Sequence, residues 1–251
     1  MRTFVQSFEQ KGGCYCGGQS IKEVRWDGIS QVVATLQNGQ VFTSDKMLVA
    51  LGRQANIEDL NLSAAGLTVT EKGTLAVNEH CQTAISHIYG VGDLIGPPGL
   101  ASSAMEQGRR AVCHALGLPE GQSADIIPVG VYTIPEMASI GLDEAAARKR
   151  YREVMIGRAK FSEIARGQIS DIRNGLLKMV ADPTGERLLG VQIVGEGATE
   201  LIHLGQMALQ HAATVDSFVE NILNFPTMAE TYRVAALDIV GQRRKRLASA
   251  A

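Results

Sequence analysis

Long apolar runs are missing from this chain. No stretch approaches the roughly 18 apolar residues that a membrane-spanning helix needs, and the opening MRTFVQSFEQKGG has no apolar core of signal-peptide length. Charge of one sign is missing too. The 24 basic and 26 acidic residues leave a net charge of -2, which gives no general pull toward nucleic acid or anionic lipid. Cysteine is scarce: four in 251 residues argue against a disulfide scaffold and fit a reducing cytoplasm, where we expect the protein. A strand followed by Gly-x-Gly-x-x-Gly, the usual cradle for a dinucleotide phosphate, is also absent. The nearest lookalike is Gly195-Glu196-Gly197 after a strand from Leu188 to Val194, but Glu200 stands where the third glycine belongs.

What is present reads as a soluble globular chain, with 45% apolar and 20% charged residues. The first third reads as β-structure. Strands around Ile21 to Trp26, Ser30 to Leu36 and Val41 to Thr43 are separated by Asp27-Gly28 and Asn38-Gly39, dipeptides that tolerate positive φ and mark a meander. Two short apolar strands should follow, Lys46 to Leu51 and His87 to Val91, each ending at a glycine and each suited to cover on both faces. A helix should run from about Leu100 to Leu116, ended by Gly117 and Pro119. From about Asp125 the texture becomes α+β. Strands are expected near Val129 to Thr133, Glu153 to Ala159, Gly175 to Ala181 and Arg187 to Val194. Helices are expected at Asp143 to Arg150, Ala198 to His211, Val215 to Asn221 and Met228 to Gly241.

The stretch Ile88-Tyr89-Gly90-Val91-Gly92-Asp93 carries the most chemistry. A strand ending in Gly-Asp presents a carboxylate to sugar-like hydroxyls, and the glycine lets a ligand approach the backbone. The helix that follows starts with Leu100-Ala101-Ser102, whose free N–H groups suit a group that gains negative charge. From these residues alone, an ordinary turn before a packing helix reads equally well.

Three further motifs carry a family resemblance. They are Leu48-Val49-Ala50-Leu51-Gly52-Arg53 with Asn56, the run from Thr83 to Asp93, and Phe225-Pro226-Thr227-Met228-Ala229-Glu230. In this order the chain resembles the FAD-dependent pyridine nucleotide–disulfide oxidoreductases over essentially its whole length. Leu100 to Ala104, Gln107-Gly108-Arg109, Val131 to Glu136 and Asn224 to Ala236 narrow the likeness to the soluble (Si-specific) transhydrogenase branch. The resemblance implies an α/β plus α+β fold: partial FAD/NAD(P)-binding Rossmann-like domains followed by an α+β dimerisation domain. Residues 1–52 would be the C-terminal remnant of an NAD(P) domain, 53–125 the C-terminal segment of an FAD domain, and 126–251 the interface domain of a homodimer. FAD and NAD(P) would be the cofactors. Gly52 would lie near the nicotinamide nucleotide, Asp93 would bind the ribityl and pyrophosphate side of FAD, the backbone of Leu100 and Ala101 would face its ring, and Arg53, Gly92 and Ser102 would complete the cofactor-binding set.

The same resemblance bears on the reaction. In disulfide-reducing members a histidine precedes the Pro-Thr and acts as acid and base for a thiol pair. Here Phe225 stands in its place, with Glu230 kept. Thiol–disulfide chemistry needs proton transfer at sulfur, whereas hydride transfer between a nicotinamide and a flavin needs stacking, orientation and exclusion of water. The expectation is therefore hydride transfer between NADPH and NAD+ through FAD. This chain is expected to be the C-terminal portion of such an enzyme and inactive without a complementing N-terminal half. A non-catalytic dimerisation module and a piece of a disulfide reductase or dihydrolipoamide dehydrogenase are the alternatives. Cys14-Tyr15-Cys16 has poor metal spacing and reads as loop, Cys81 and Cys113 as core, and His203 with His211 as too far apart to share a metal. The run Arg243 to Arg246 reads as a solvated cluster after a C-terminal helix rather than a nucleic-acid site.

Overall fold

Asp27 shows how the first sheet is built. Its Oδ1 accepts from the backbone N–H groups of Ile29, Ser30 and Gln31 at 2.8, 2.9 and 3.0 Å, folding the chain back on itself. Gly28 and Gly39 take φ of 89° and 86° at the two reversals, a region that glycine enters without Cβ strain. The strands so joined are β1 (Ile21–Trp26), β2 (Val32–Leu36) and β3 (Val41–Ser44). They form an antiparallel meander in the order β1-β2-β3 with Arg25 opposite Val33 and Ala34 opposite Phe42. In this computed structural model residues 2–121, 126–172 and 174–250 are described. Contacts divide them into two compact units, Gly18–Ser123 and Met1–Gly17 with Ala124–Ala251.

In the Gly18–Ser123 unit the meander and the helix Ala101–Ala115 follow the sequence expectation. The two apolar strands do not. Lys46 to Leu51 has no strand pairing among the described residues, with Leu48 90% and Leu51 86% exposed. Of His87 to Val91, only Tyr89 pairs, in a single bridge to Gln82. A strand exists only when a neighbour accepts its N–H groups, and the described residues supply none for Met47 to Leu51. Val33, Leu36, Ile57, Leu67, Leu75 and Cys81 are the buried apolar side chains that hold this unit, together with Ala111 of the helix.

The second unit is a five-stranded antiparallel sheet with helices. Its strands are β4 (Val129–Val131), β5 (Met137–Gly141), β6 (Met155–Lys160), β7 (Leu176–Ala181) and β8 (Leu188–Val194), in the order β4-β5-β8-β7-β6. Helix α1 (Arg2–Gln10) belongs to this unit, where the sequence reading had only β-structure in the first third. In chain order, the helix Ala101–Ala115 of the other unit is α2, followed by α3 (Glu144–Tyr151), α4 (Ala165–Ile169), α5 (Ala198–Gln210), α6 (Val215–Glu220) and α7 (Glu230–Ala250). Strand β5 carries no strand signal in the sequence, because its small residues Ala138, Ser139 and Gly141 break the β-branched pattern. Side-chain caps start two helices: Asp143 accepts from Ala146 N at 2.7 Å, and Thr214 from Ser217 N at 3.3 Å.

The core lies between the sheet and the two long helices. Helix α5 packs on β8 and β5, and α7 packs on β6 and β7. Leu177, Met179, Val191, Tyr232, Ala235 and Ile239 are fully buried there. Tyr232 sits among them with its hydroxyl satisfied, donating to Leu201 O at 2.8 Å and accepting from Gly205 N at 3.1 Å. Burial raises its phenol well above the ordinary range.

Helix α7 runs on to Ala250, past the expected stop at Gly241. A helical glycine costs only about 1 kcal/mol, and tertiary bonds beyond it more than offset that. Gln242 Nε2 donates to Ile156 O at 2.8 Å, Arg243 pairs with Asp216 at 2.7 Å, and Arg246 pairs with Glu153 at 3.0 Å. The basic run is thus part of the helix, and two of its four charges are engaged in ion pairs. Among the described residues no helix is long and apolar enough to cross a membrane.

Candidate functional site

The candidate site in the Gly18–Ser123 unit is assembled on the turn that follows Val91. Gly92 opens a short 3-10 turn (Gly92–Ile95) with φ of 77°, and its N–H donates to Gln107 Oε1 at 2.7 Å. A Cβ at Gly92 would approach the Ala104 methyl to 3.2 Å, so this glycine lets the turn lie against α2. The geometry leaves Asp93 on the surface with its carboxylate 43% exposed. Arg53 joins it: Nη1 lies 2.9 Å from Asp93 Oδ2, and Nη2 donates to Gly99 O at 2.9 Å. One guanidinium therefore ties the Gly-Asp turn to Gly99, two residues ahead of α2. The three positions are 53, 93 and 99, and only the fold brings them together.

Helix α2 begins without help from any side chain. Leu100 is its N-cap with extended φ and ψ, no side chain caps it, and no acidic residue stands in the first turn. Ala101 and Ser102 are exposed. Among the described residues no side chain caps the N–H groups of this first turn, which form the positive dipole end of the helix. A cleft of about 1240 Å3 runs beside the site, lined by Gly52, Arg53, Asp93, Gly96 and Gly99 among others. This donor and acceptor set fits a flavin nucleotide. A carboxylate can accept from sugar hydroxyls, an arginine can meet a pyrophosphate, and uncapped amides can meet the electron-rich edge of a ring.

Of the residues expected from sequence, Gly52, Arg53, Gly92, Asp93, Leu100, Ala101 and Ser102 all fall in this one unit. Phe225 and Glu230 belong to the other unit. Phe225 is 73% exposed, and Ile222 near it is 96% exposed. Glu230 starts α7, and its Oε2 accepts from Thr227 N at 3.3 Å, which closes the Pro-Thr turn.

The dinucleotide lookalike after β8 is filled by the chain itself. Glu136 Oε2 accepts from Thr199 N at 3.2 Å and from Thr199 Oγ1 at 2.7 Å, so a carboxylate already sits at the start of α5. Those hydrogen bonds hold its carboxyl below the ordinary glutamate range. A side chain at Gly195 would run into the Phe161 ring, so that glycine serves packing. Cys14 and Cys16 bring their sulfurs to 3.8 Å on exposed loop. Cys81 is buried as expected, and Cys113 is half-buried.

Comparison with known proteins places this architecture. The family model described as pyridine nucleotide-disulphide oxidoreductase matches residues 6–108, and that of the family's dimerisation domain matches residues 127–236. A soluble pyridine nucleotide transhydrogenase of Mycobacterium tuberculosis is 38% identical over 217 residues, covering 86% of this chain and 46% of the relative. One of Aliivibrio fischeri is 43% identical over 214 residues, covering 82% of this chain and 45% of the relative. The chain thus spans about half the length of these curated relatives. Among solved structures, LpdA of Mycobacterium tuberculosis superimposes with a TM-score of 0.82 at 25% identity, over 94% of this chain and 51% of the other. The HOCl-induced flavoprotein disulfide reductase RclA of Escherichia coli shares the fold with a TM-score of 0.85 at 20% identity, over 94% and 54%. The chain belongs to the pyridine nucleotide-disulphide oxidoreductase family.

Proposed function

We propose that this chain is the C-terminal share of a soluble pyridine nucleotide transhydrogenase, a flavoprotein that moves a hydride between NADPH and NAD+. The observation that carries the reading is the pairing, in one unit, of an exposed Asp93 carboxylate held by Arg53 with the uncapped start of α2. Bound FAD would supply the ring that accepts a hydride from one nicotinamide nucleotide and passes it to another. Asp93 would accept hydrogen bonds from the ribityl chain, and Arg53 and Gly92 would leave room and charge for the pyrophosphate. The amides of Leu100, Ala101 and Ser102 would stabilise negative charge on the ring edge. Gly52 would lie beside the nicotinamide nucleotide.

Phe225 supports transhydrogenation over disulfide reduction, because a phenyl ring moves no proton at any pH. A hydride carries its hydrogen with both electrons and asks only for alignment and a dry site. Glu230 then has no imidazole to orient, and its bond to Thr227 N gives it a local task in the turn. Residues 126–251 would join two subunits as a homodimer, in keeping with the dimerisation-domain match and the exposed Ile222 and Phe225. Residues 1–52 and 53–125 would be the closing parts of the NAD(P) and FAD domains, completed by a separate N-terminal half. The cytoplasm is the compartment this reading implies.

The test is complementation. The chain is co-expressed with the N-terminal half of a transhydrogenase relative and assayed with NADPH against a thionicotinamide acceptor and against small disulfides. Nicotinamide reduction should dominate, and Asp93→Ala should lose the yellow flavin absorbance. Faster reduction of disulfides than of the nucleotide acceptor would refute the assignment.

A further inference from the structure

The far end of α2 carries a cluster that the hydride reaction does not use. His114, in the helix's last turn, stacks on His80 with ring centroids 4.3 Å apart and planes 14° apart. Glu120, just beyond the helix, brings Oε1 to 2.7 Å from His80 Nδ1. One ligating atom from each of His80, His114 and Glu120 lies within 4.8 Å of the others, and all three side chains are half-buried. The contact between His80 and Glu120 is close but badly angled: Nδ1 is buried and makes no aligned hydrogen bond. A buried imidazole nitrogen beside a carboxylate oxygen, with no aligned hydrogen bond between them, is a pair that a cation can bridge once the two atoms part.

We propose that His80, His114 and Glu120 form a binding site for a divalent transition-metal ion of the zinc class. Two imidazoles and a carboxylate are a donor set such ions prefer, leaving a fourth position for water. The outer groups suit the task. Tyr89 Oη lies 2.8 Å from His114 Nδ1, and Gln82 Nε2 donates to the same hydroxyl at 3.3 Å. With Nδ1–H donating to Tyr89, the other ring nitrogen of His114 presents its lone pair to the metal. The helix end adds its own attraction, since the C-terminal dipole favours positive charge. Arg110 opposes it: Nη2 sits 3.2 Å from Glu120 Oε2 and leaves Oε1 as the ligating oxygen.

Zinc binds imidazole nitrogen at about 2.0 Å, so donors on a tetrahedral ion stand roughly 3.3 Å apart. The His80–Glu120 pair must therefore open from 2.7 Å by about half an ångström, while donors that stand up to 4.8 Å apart close by about 1.5 Å as the rings fan out of their stack, side-chain motions within ordinary rotamer freedom. The site lies one length of α2 from Ala101, roughly 20 Å at 1.5 Å per residue. Its role would be to clasp the segment after α2 against the Asn78–Tyr89 turn.

The experiment is titration of the chelator-stripped chain with Zn2+ and with Co2+. One equivalent per chain should bind. The Co2+ spectrum should lack thiolate charge-transfer absorption, which excludes Cys14 and Cys16 as ligands without any variant. His80→Gln with His114→Gln should abolish the equivalent with the helical circular dichroism unchanged, and Tyr89→Phe should weaken it by about 10-fold. Arg110→Gln should tighten it several-fold. The proposal is overturned by no uptake, by thiolate bands, by uptake that survives the double histidine variant, or by uptake lost on Cys14→Ser with Cys16→Ser.

Discussion

Single side chains in this protein divide into those that hold the fold and those left free to meet a ligand. Glu136 belongs to the first kind although its setting imitates a nucleotide site. Its carboxylate takes the place at the start of α5 that a phosphate would take in a dinucleotide fold, through Thr199 N and Oγ1. Because these bonds favour the ionised form, its folded-state pKa lies below its unfolded one. The stability it contributes is full above the ordinary glutamate value and is lost as pH falls through the depressed folded value. Urea denaturation of the wild type between about pH 5 and 3 should show this loss, and Glu136→Gln should flatten the slope in that window. An unchanged slope would remove Glu136 from the account of acid stability. Asp93 is of the second kind. Its partner is the largely exposed Arg53, and an ion pair of that kind contributes little to stability, roughly 0–1 kcal/mol.

At the level of elements, close approach decides more than propensity does. Helix α7 crosses β6 at Gly157, where a Cβ would strike the carbonyl oxygen of Ala235. No flexible side chain can yield there, because the obstacle is helix backbone. Gly157→Ala should therefore cost several kcal/mol, about the scale of overpacking a core, and thermal unfolding should show the Tm drop. A wild-type Tm would mean that α7 is not seated on β6 as described. The elements read correctly from sequence were those with local causes: the two Gly-marked reversals of the meander, the helix starts near Asp143 and Val215, and the stop after α2 at Gly117. Those misread had distant causes. Helix α7 continues past Gly241 because Arg243 finds Asp216 on α6, which no window around residue 241 contains.

For the molecule as a whole, Leu48, Val49 and Leu51 are the telling residues. They form an apolar run of the kind that suits a strand covered on both faces, yet they are 90%, 64% and 86% exposed. Burying apolar surface returns about 25 cal/mol per Å2, so covering three such side chains stabilises any arrangement that does so by several kcal/mol. We expect Leu48→Ser with Leu51→Ser to leave the second unit's sheet intact and to abolish complementation by an N-terminal half. Size-exclusion chromatography of the mixed halves checks this, and a complex that forms equally well with the variant would count against it.

Sequence alone determined the local turns, most of the helices, and the family motifs at Gly52-Arg53, Gly92-Asp93 and Phe225 to Glu230. These are properties of residue type and short spacing, and each acts within a few positions of itself. The tertiary structure alone decided that Arg53 grips both Asp93 and Gly99, that Glu136 closes the glycine-rich lookalike, and that His80, His114 and Glu120 meet at the end of α2. Those groups lie 6 to 63 residues apart along the chain, and nothing in their spacing announces a meeting. Hydrogen bonds and ion pairs act over about 3 Å, so such sites come into being only when packing of the apolar core has fixed where each backbone runs.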